Sequence, residues 1–237
     1  GGSGSGGRIA IYYTTNNLTE ANIKAYGNTS YNNNNSGAGT IYLKGASQSY
    51  GDLIIDNNNV IPGNPAALVD PDGTPSADTY TFDRIKMQRK GNLDIVDPND
   101  TVIIANNTEG DNSAVLNTHG IIDATALSTI SYVGLGTYSD GVLLLKNPVE
   151  IKGITISNLG TLGSAAYPLG SVTLSADVST NAYVYLYASG KSYGKSAGTY
   201  DFGNGTIVVN ANQTIDAVGD TTAGIGVTIN AAAMTNN

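Results

Sequence analysis

Aliphatic residues in this chain alternate with polar or aromatic ones in short runs, and each run ends in a cluster of Gly, Asn, Ser or Thr. Period-two alternation marks a strand with two unlike faces, because successive side chains leave the backbone on opposite sides. Arg8–Tyr13 sends Ile9, Ile11 and Tyr13 one way and Ala10 and Tyr12 the other. Thr40–Lys44 separates Ile41 and Leu43 from Tyr42 and Lys44. Ala182–Tyr187 alternates most cleanly, Val184 and Leu186 against Tyr183, Tyr185 and Tyr187. The same pattern predicts strands at Leu53–Ile55, Leu93–Val96, Val102–Ile104, Val142–Leu145, Ile151–Ile156, Val172–Leu174, Thr206–Val209 and Gly226–Ile229. Helix is expected only as a short turn at Asp123–Leu127 and a brief cap at Asn230–Met234.

The spacing of these runs points to an all-β fold, with a right-handed parallel β-helix (solenoid) favoured and a β-sandwich or jelly roll as the alternative. Centre-to-centre steps such as Ile23 to Ile41, Ile41 to Ile54 and Leu143 to Ile154 span 18, 13 and 11 residues. Steps this uneven suit coils that tolerate loops of different length, whereas a strict repeat array keeps one period. A sandwich would call for more hairpin dipeptides than Asp72-Gly73, Asp140-Gly141 and Asn204-Gly205. Asn32–Asn35 and Asn57–Asn59 fall at turns, where Asn tolerates the left-handed region. One module over 1–237 is expected. Its single excursion is a loop at 61–79, which holds four of the seven prolines and shows no strand pattern.

Composition narrows the class. Hydrophobic residues make up 40% of the 237 and charged residues only 13%, so solubility rests on Asn, Thr, Ser and Gly. That charge is about half the ordinary share of a globular domain and reads as a secreted or cell-surface protein. Cysteine is absent, and a large repetitive core needs no disulfide. A net charge of −8 disfavours nucleic acid as a partner, since phosphate binding needs cations. No apolar run is long enough to span a bilayer. The opening GGSGSGGRIAIYY reads as an excised piece of something longer, or as a strand carrying an added Gly/Ser linker.

Candidate chemistry is sparse. Asp94, Asp97, Asp100, Glu109 and Asp111 lie close in sequence, and Asp70 and Asp72 crowd the Pro-rich loop. Oxygen-rich turns of this kind can hold calcium, although neither the EF-hand nor the nonapeptide pattern is met. Arg84, Lys86, Arg89 and Lys90 hold four of the eleven basic residues. Beside the acids they would supply the proton chemistry of a polysaccharide lyase or glycoside hydrolase. The plainer reading pairs them locally with Asp83, Asp94 and Asp97, and no enzyme is expected. His119, the only histidine, sits in a turn and reads as structural. Tyrosine is the anomaly, 15 against two Phe and no Trp. Tyr12, Tyr42, Tyr183, Tyr185 and Tyr187 oppose the aliphatic face and form the candidate contact surface for sugars or proteins.

GSGGRIAIYY, GAGTIYLK and YGDLIIDNNN, within residues 4–59, resemble segments of very large bacterial cell-surface, adhesin-like proteins with repetitive β-helices. The resemblance implies an extracellular location and an adhesive or structural role, and it carries no catalytic residue. The expectation is a structural or adhesion module whose partners are neighbouring copies, other surface proteins or glycans. End-to-end assembly would use the Gly-rich start and the Ala-rich tail 231–234.

Overall fold

The computed structural model describes residues 4–29, 35–62, 64–68, 76–138, 140–146, 149–152, 155–158, 161–162, 172–175, 182–187, 198–201, 206–209, 213–218, 227–230 and 233–236. Among them the chain is strand-rich, and its one helical element is a 3-10 turn at Glu20–Asn22. None of the described helix is long and apolar enough to cross a membrane.

The first strands are β1 (Arg8–Tyr13), β2 (Thr40–Gly45), β3 (Asp52–Asp56), β4 (Ala66–Leu68), β5 (Thr79–Gln88), β6 (Leu93–Ile95) and β7 (Thr101–Gly110). Short strands follow in close order: β8 (Val115–Thr118), β9 (Ile121–Ala124), β10 (Thr129–Ser131), β11 (Gly134–Thr137), β12 (Val142–Leu145), β13 (Val149–Lys152), β14 (Thr155–Asn158) and β15 (Thr161–Leu162). The last seven are β16 (Val172–Ser175), β17 (Ala182–Tyr187), β18 (Gly198–Asp201), β19 (Thr206–Val209), β20 (Gln213–Val218), β21 (Val227–Asn230) and β22 (Ala233–Asn236).

These strands make three long sheets and one pair. The first sheet runs β1-β2-β3-β5-β7-β9-β12-β15, the second β20-β17-β14-β11-β8-β6-β4, and the third β10-β13-β16-β19-β22. Strands β18 and β21 form the pair. Among the described pairings only β2 with β3 is antiparallel. From β9 to β17 the chain visits the first, third and second sheets in rotation. One step of the register advances by 21 residues on each sheet, with Ile121 paired to Val142, Ile130 to Ile151 and Leu135 to Ile156. The next steps are uneven, 19 residues from Val142 to Thr161, 23 from Val149 to Val172 and 30 from Thr155 to Tyr185.

Parallel register stacks like on like. Leu93, Leu116 and Leu135 are successive neighbours in the second sheet, as are Val102, Ile122 and Leu143 in the first, and all six are fully buried. Burying each such side chain contributes roughly 1.5–3 kcal/mol. The turns stack as well. Asn58 and Asn59, then Arg89 and Lys90, adopt positive φ one above the other, and Asn112 does so in the next layer. The left-handed reading of Asn57–Asn59 therefore holds at two of its three positions; Asn57 is instead buried, with its amide bonded to strand-connecting backbone.

A second, smaller core lies on the other face of the first sheet. Ile41, Leu43 and Ile54 point away from the main core and are covered by Ala25, with Ile9, Ile11, Tyr13 and Ile23 packed around them. The cover is the connection between β1 and β2, which crosses the sheet as a strap. Polar anchors fix its course: the Gly27 N–H donates to Asn57 Oδ1 at 2.9 Å, and Asn57 Nδ2 donates to the Ser36 carbonyl at 3.3 Å.

Three sequence expectations are corrected here. The described residues of Asn230–Met234 are strand rather than helix, since β21 ends at Asn230 and β22 begins at Ala233. The 61–79 stretch is not wholly an excursion: Ala66–Leu68 pairs with β6 as the edge of the second sheet, directly after Pro65, where a missing N–H is tolerated. Ile151–Ile156 is two strands on different sheets rather than one. After Asp123 the chain does turn, with the Leu127 N–H on the Ala124 carbonyl, but β9 occupies the residues before it.

Candidate functional site

β1 and β2 lie side by side at the outer edge of the first sheet, with Arg8 opposite Thr40, Ala10 opposite Tyr42 and Tyr12 opposite Lys44. Alternation turns these six residues to one face, away from the strap. Tyr12 is 71% exposed, Arg8 and Ala10 are exposed, and the β2 residues are half-buried. The rings form a series of edge-to-face steps, Tyr12 on Tyr42 at 5.7 Å and Tyr42 on Phe82 at 6.2 Å, both at 65°. Phe82 belongs to the main core, so the series runs from the interior out to solvent. The Tyr42 hydroxyl donates to the Tyr50 carbonyl. Burial, with Tyr12, Asp83 and Asp52 nearby, raises the Tyr42 hydroxyl above its ordinary value.

A cavity of about 250 Å³ opens beside Arg8 and Thr40, bounded by Ser5, Gly39 and the free edge of β4 at Ala66 and Ala67. Small residues make the space. Tyr183, Tyr185 and Tyr187 belong to β17 in the second sheet, so they are not neighbours of Tyr12 and Tyr42 along one sheet. Their side chains lie outside the described residues.

The basic group is brought together with acids, though not those expected from sequence. Arg84 follows Asp52 in register, and Lys86 precedes Glu109. Arg84 pairs with Glu20 at 2.5 Å, Glu109 at 2.6 Å and Asp52 at 2.9 Å. Lys86 pairs with Glu20 at 2.7 Å and Glu109 at 2.9 Å. Arg89 pairs with Asp56 at 2.5 Å and lies over the Tyr26 ring at 5.1 Å. Burial alone would raise the carboxyls of Glu20 and Glu109, but the hydrogen bonds from Lys86 and Arg84 outweigh it and both end below their ordinary value. Burial likewise opposes charge on Arg84 and Lys86, and their carboxylate bonds reverse it, raising both.

Asp83, one of the expected partners, serves a different purpose. Its Oδ2 accepts the Tyr50 and Gly51 N–H groups and its Oδ1 accepts Asn106 Nδ2, each at 2.9 Å. It thus pins the bulge where the β5–β7 register shifts between Phe82 and Arg84.

The five acids proposed for calcium go to separate tasks. Asp94 accepts from the Tyr138 hydroxyl at 2.8 Å and from Asn117 at 3.2 Å. Burial raises its carboxyl above the ordinary value despite those bonds. Asp97 caps Asn99, buried Asp100 accepts the Asp78 N–H, Glu109 is in the ion-pair lattice, and Asp111 accepts from Arg89 and Ser113. Among the described residues no group of three His, Asp or Glu could hold a metal ion. Asp70 and Asp72 lie outside them.

Two arrangements went unseen in sequence. The strap that brings Glu20 to Arg84 has no strand or helix period. His119 stacks on Tyr138 at 4.0 Å and 11°, with its Nδ1 2.8 Å from Asp140. The register that sets Thr118 against Thr137 brings that pair together, and it becomes visible only once the strand pairing is known.

No family model matches the chain, and no curated protein or solved structure matches it either.

Proposed function

We propose that the chain is a right-handed parallel β-helix and serves as a structural or adhesive module of a secreted or cell-surface protein. The observation that carries this reading is the rotation of the chain through three parallel sheets from β9 to β17, each strand pairing with the one three places on. Such winding buries one continuous aliphatic column and leaves three long faces outside for contact. A sandwich or jelly roll would pair its strands antiparallel. The resemblance of residues 4–59 to β-helical bacterial surface proteins supports the same role, and the low charge content agrees with it.

Carbohydrate degradation by the Arg84–Lys90 group is the weaker reading, because Arg84 and Lys86 are held by carboxylates on several sides and have no proton to take up or give away near neutrality. Asp94, Asp97, Asp100, Glu109 and Asp111 each already serve a neighbouring donor, so the proposal includes no calcium. Small-angle scattering of the purified chain tests the shape: a rod supports the reading and a sphere of the same mass removes it. End-to-end assembly would show as particles that lengthen with concentration at constant width. At one end its contacts would involve β1 and β4, and at the other β22, where Met234 is 57% exposed.

A further inference from the structure

We propose that the face of β1 and β2 turned away from the strap, at the edge of the first sheet, binds an anionic polysaccharide, one bearing carboxylates such as a polyuronate. The inference rests on the reading above as an extracellular module and names the ligand class for one end of it.

Cations and rings are concentrated on this face. Arg8 is exposed and makes no ion pair among the described residues. The Lys44 ammonium donates to the Ser49 carbonyl at 2.8 Å and likewise has no carboxylate among them. Arg84, Lys86 and Arg89, by contrast, are all paired with acids. Lys24, Lys90 and Lys146 also lack a carboxylate there, but Arg8 and Lys44 lie at the two ends of one strand-pair face that carries two tyrosine rings between them. The acids nearest to Tyr42 are already engaged, Asp83 by three donors and Asp52 by Arg84. In a chain of net charge −8, this end offers an anion two uncommitted cations.

The layout suits a sugar chain. Arg8 and Tyr12 are four residues apart on one strand, about 13 Å at the usual rise. Ala10 leaves the surface flat between them. A guanidinium takes a carboxylate through two parallel N–H bonds. A tyrosine ring accepts the C–H face of a sugar and offers a hydroxyl at its rim. The cavity beside Arg8, about 250 Å³, falls below the roughly 300 Å³ at which pockets for drug-sized ligands begin. It has room for a single ring with the hydroxyls of Ser5 and Thr40 at hand. The rest of an oligomer would lie along β1 towards Tyr12.

Titration calorimetry of the whole chain with oligogalacturonate at low salt tests the proposal, with dextran and single-stranded DNA as comparison probes. Binding to oligogalacturonate is expected, with none to dextran and weaker or no binding to DNA. Arg8→Ala and Tyr12→Ala should each weaken it about tenfold or more, and Lys44→Ala less. Lys146→Ala should leave it unchanged, and circular dichroism checks that each variant is folded. Equal loss in Lys146→Ala, equal binding of DNA, or no binding by the unaltered chain overturns the proposal. Scattering on the same samples separates the two claims, since a rod that binds nothing removes the glycan site alone.

Discussion

The Glu20 carboxylate meets the Arg84 guanidinium at 2.5 Å although 64 residues separate them. Glu20 sits in the single 3-10 turn of the strap, and Arg84 points outward from the centre of the first sheet. Their contact, with Lys86 at 2.7 Å, holds the strap over Ile41, Leu43 and Ile54. Glu20→Gln should cost about 1 kcal/mol or less, because the pair is partly exposed and solvent screens it. Its local signature should be faster amide exchange over residues 20–27 with little change in the main core. Arg84→Met should cost more, since it leaves Glu20, Asp52 and Glu109 facing one another with one cation fewer. A Glu20→Gln chain whose strap exchanges at the original rate would show that the apolar contacts of Ile23 and Ala25 hold it unaided.

Acid should loosen the same region. Glu20 and Glu109 have folded values below their unfolded ones, so between the two the unfolded chain binds more protons and stability rises with pH. Their contribution is complete above the unfolded carboxylate range and is lost as pH falls through the lowered values. Asp94 acts in the opposite sense: its raised folded value favours the protonated form, so its effect on stability declines as pH rises through that value. Melting followed from pH 3 to pH 7 should therefore rise, and the rise should shrink in Glu20→Gln. In Asp94→Asn the rise should grow.

Arg8–Tyr13 and Ala182–Tyr187 were legible by alternation and Val142–Leu145 and Thr206–Val209 as short apolar runs, and all four match the structure residue for residue. Thr79–Gln88 was missed although Arg84 to Gln88 alternates polar with apolar, because its first half, where the bulge at Asp83 breaks the period, hides the pattern. Strands of two to four residues such as β10 and β15 hold too few positions for a period to emerge. At the candidate site, the shared face of Tyr12 and Tyr42 followed from alternation alone. The ion-pair lattice did not, since its partners are set by the register between paired strands: Asp52 is opposite Arg84, not near it in the chain.

Turn geometry gives a stabilising substitution. Lys90 has φ 64° at a position stacked over the left-handed Asn58 and Asn59. A Cβ in that region is strained, and the Lys90 N–H is capped by Ser113 Oγ at 2.9 Å, a bond that any residue retains. Lys90→Gly should thus raise stability by about 0.5–1 kcal/mol, the relief exceeding the entropy that glycine adds to the unfolded chain. Chemical denaturation measures it, and a midpoint that falls would mean that the lysine stem packs on the neighbouring turn.

The stacked column should respond to truncation as one body. Leu116 is fully buried between Leu93 and Leu135. Leu116→Ala removes packing on both neighbours at once, and about 2–5 kcal/mol is expected. Amide exchange should then quicken in β6, β8 and β11 together. Loss confined to β8 would argue that the layers are held by their backbone ladders rather than by side-chain stacking.

Gly39 gives a separate test of the strap and the end face. A Cβ built there would fall 1.8 Å from the Gly7 carbonyl oxygen, and one at Gly6 would fall 2.2 Å from the Gly39 nitrogen. The two chains cross this closely because the Gly39 N–H donates to the Ala25 carbonyl at 2.7 Å while the Thr40 N–H donates to Gly7 at 3.2 Å. Backbone carbonyls cannot swing aside as a side-chain tip can, so Gly39→Ala must push β1 and the strap apart. The main column is built mostly from residues from Leu53 onwards, although Ala38 is buried in it and Tyr42 packs on it, and it should keep most of its packing. Two steps are expected in denaturant, an early one that changes the near-ultraviolet signal of Tyr12, Tyr13 and Tyr26, and a later one for the bulk of the strands. A single cooperative transition, shifted as a whole, would instead mean that the β1–β2 end and the column fold as one unit.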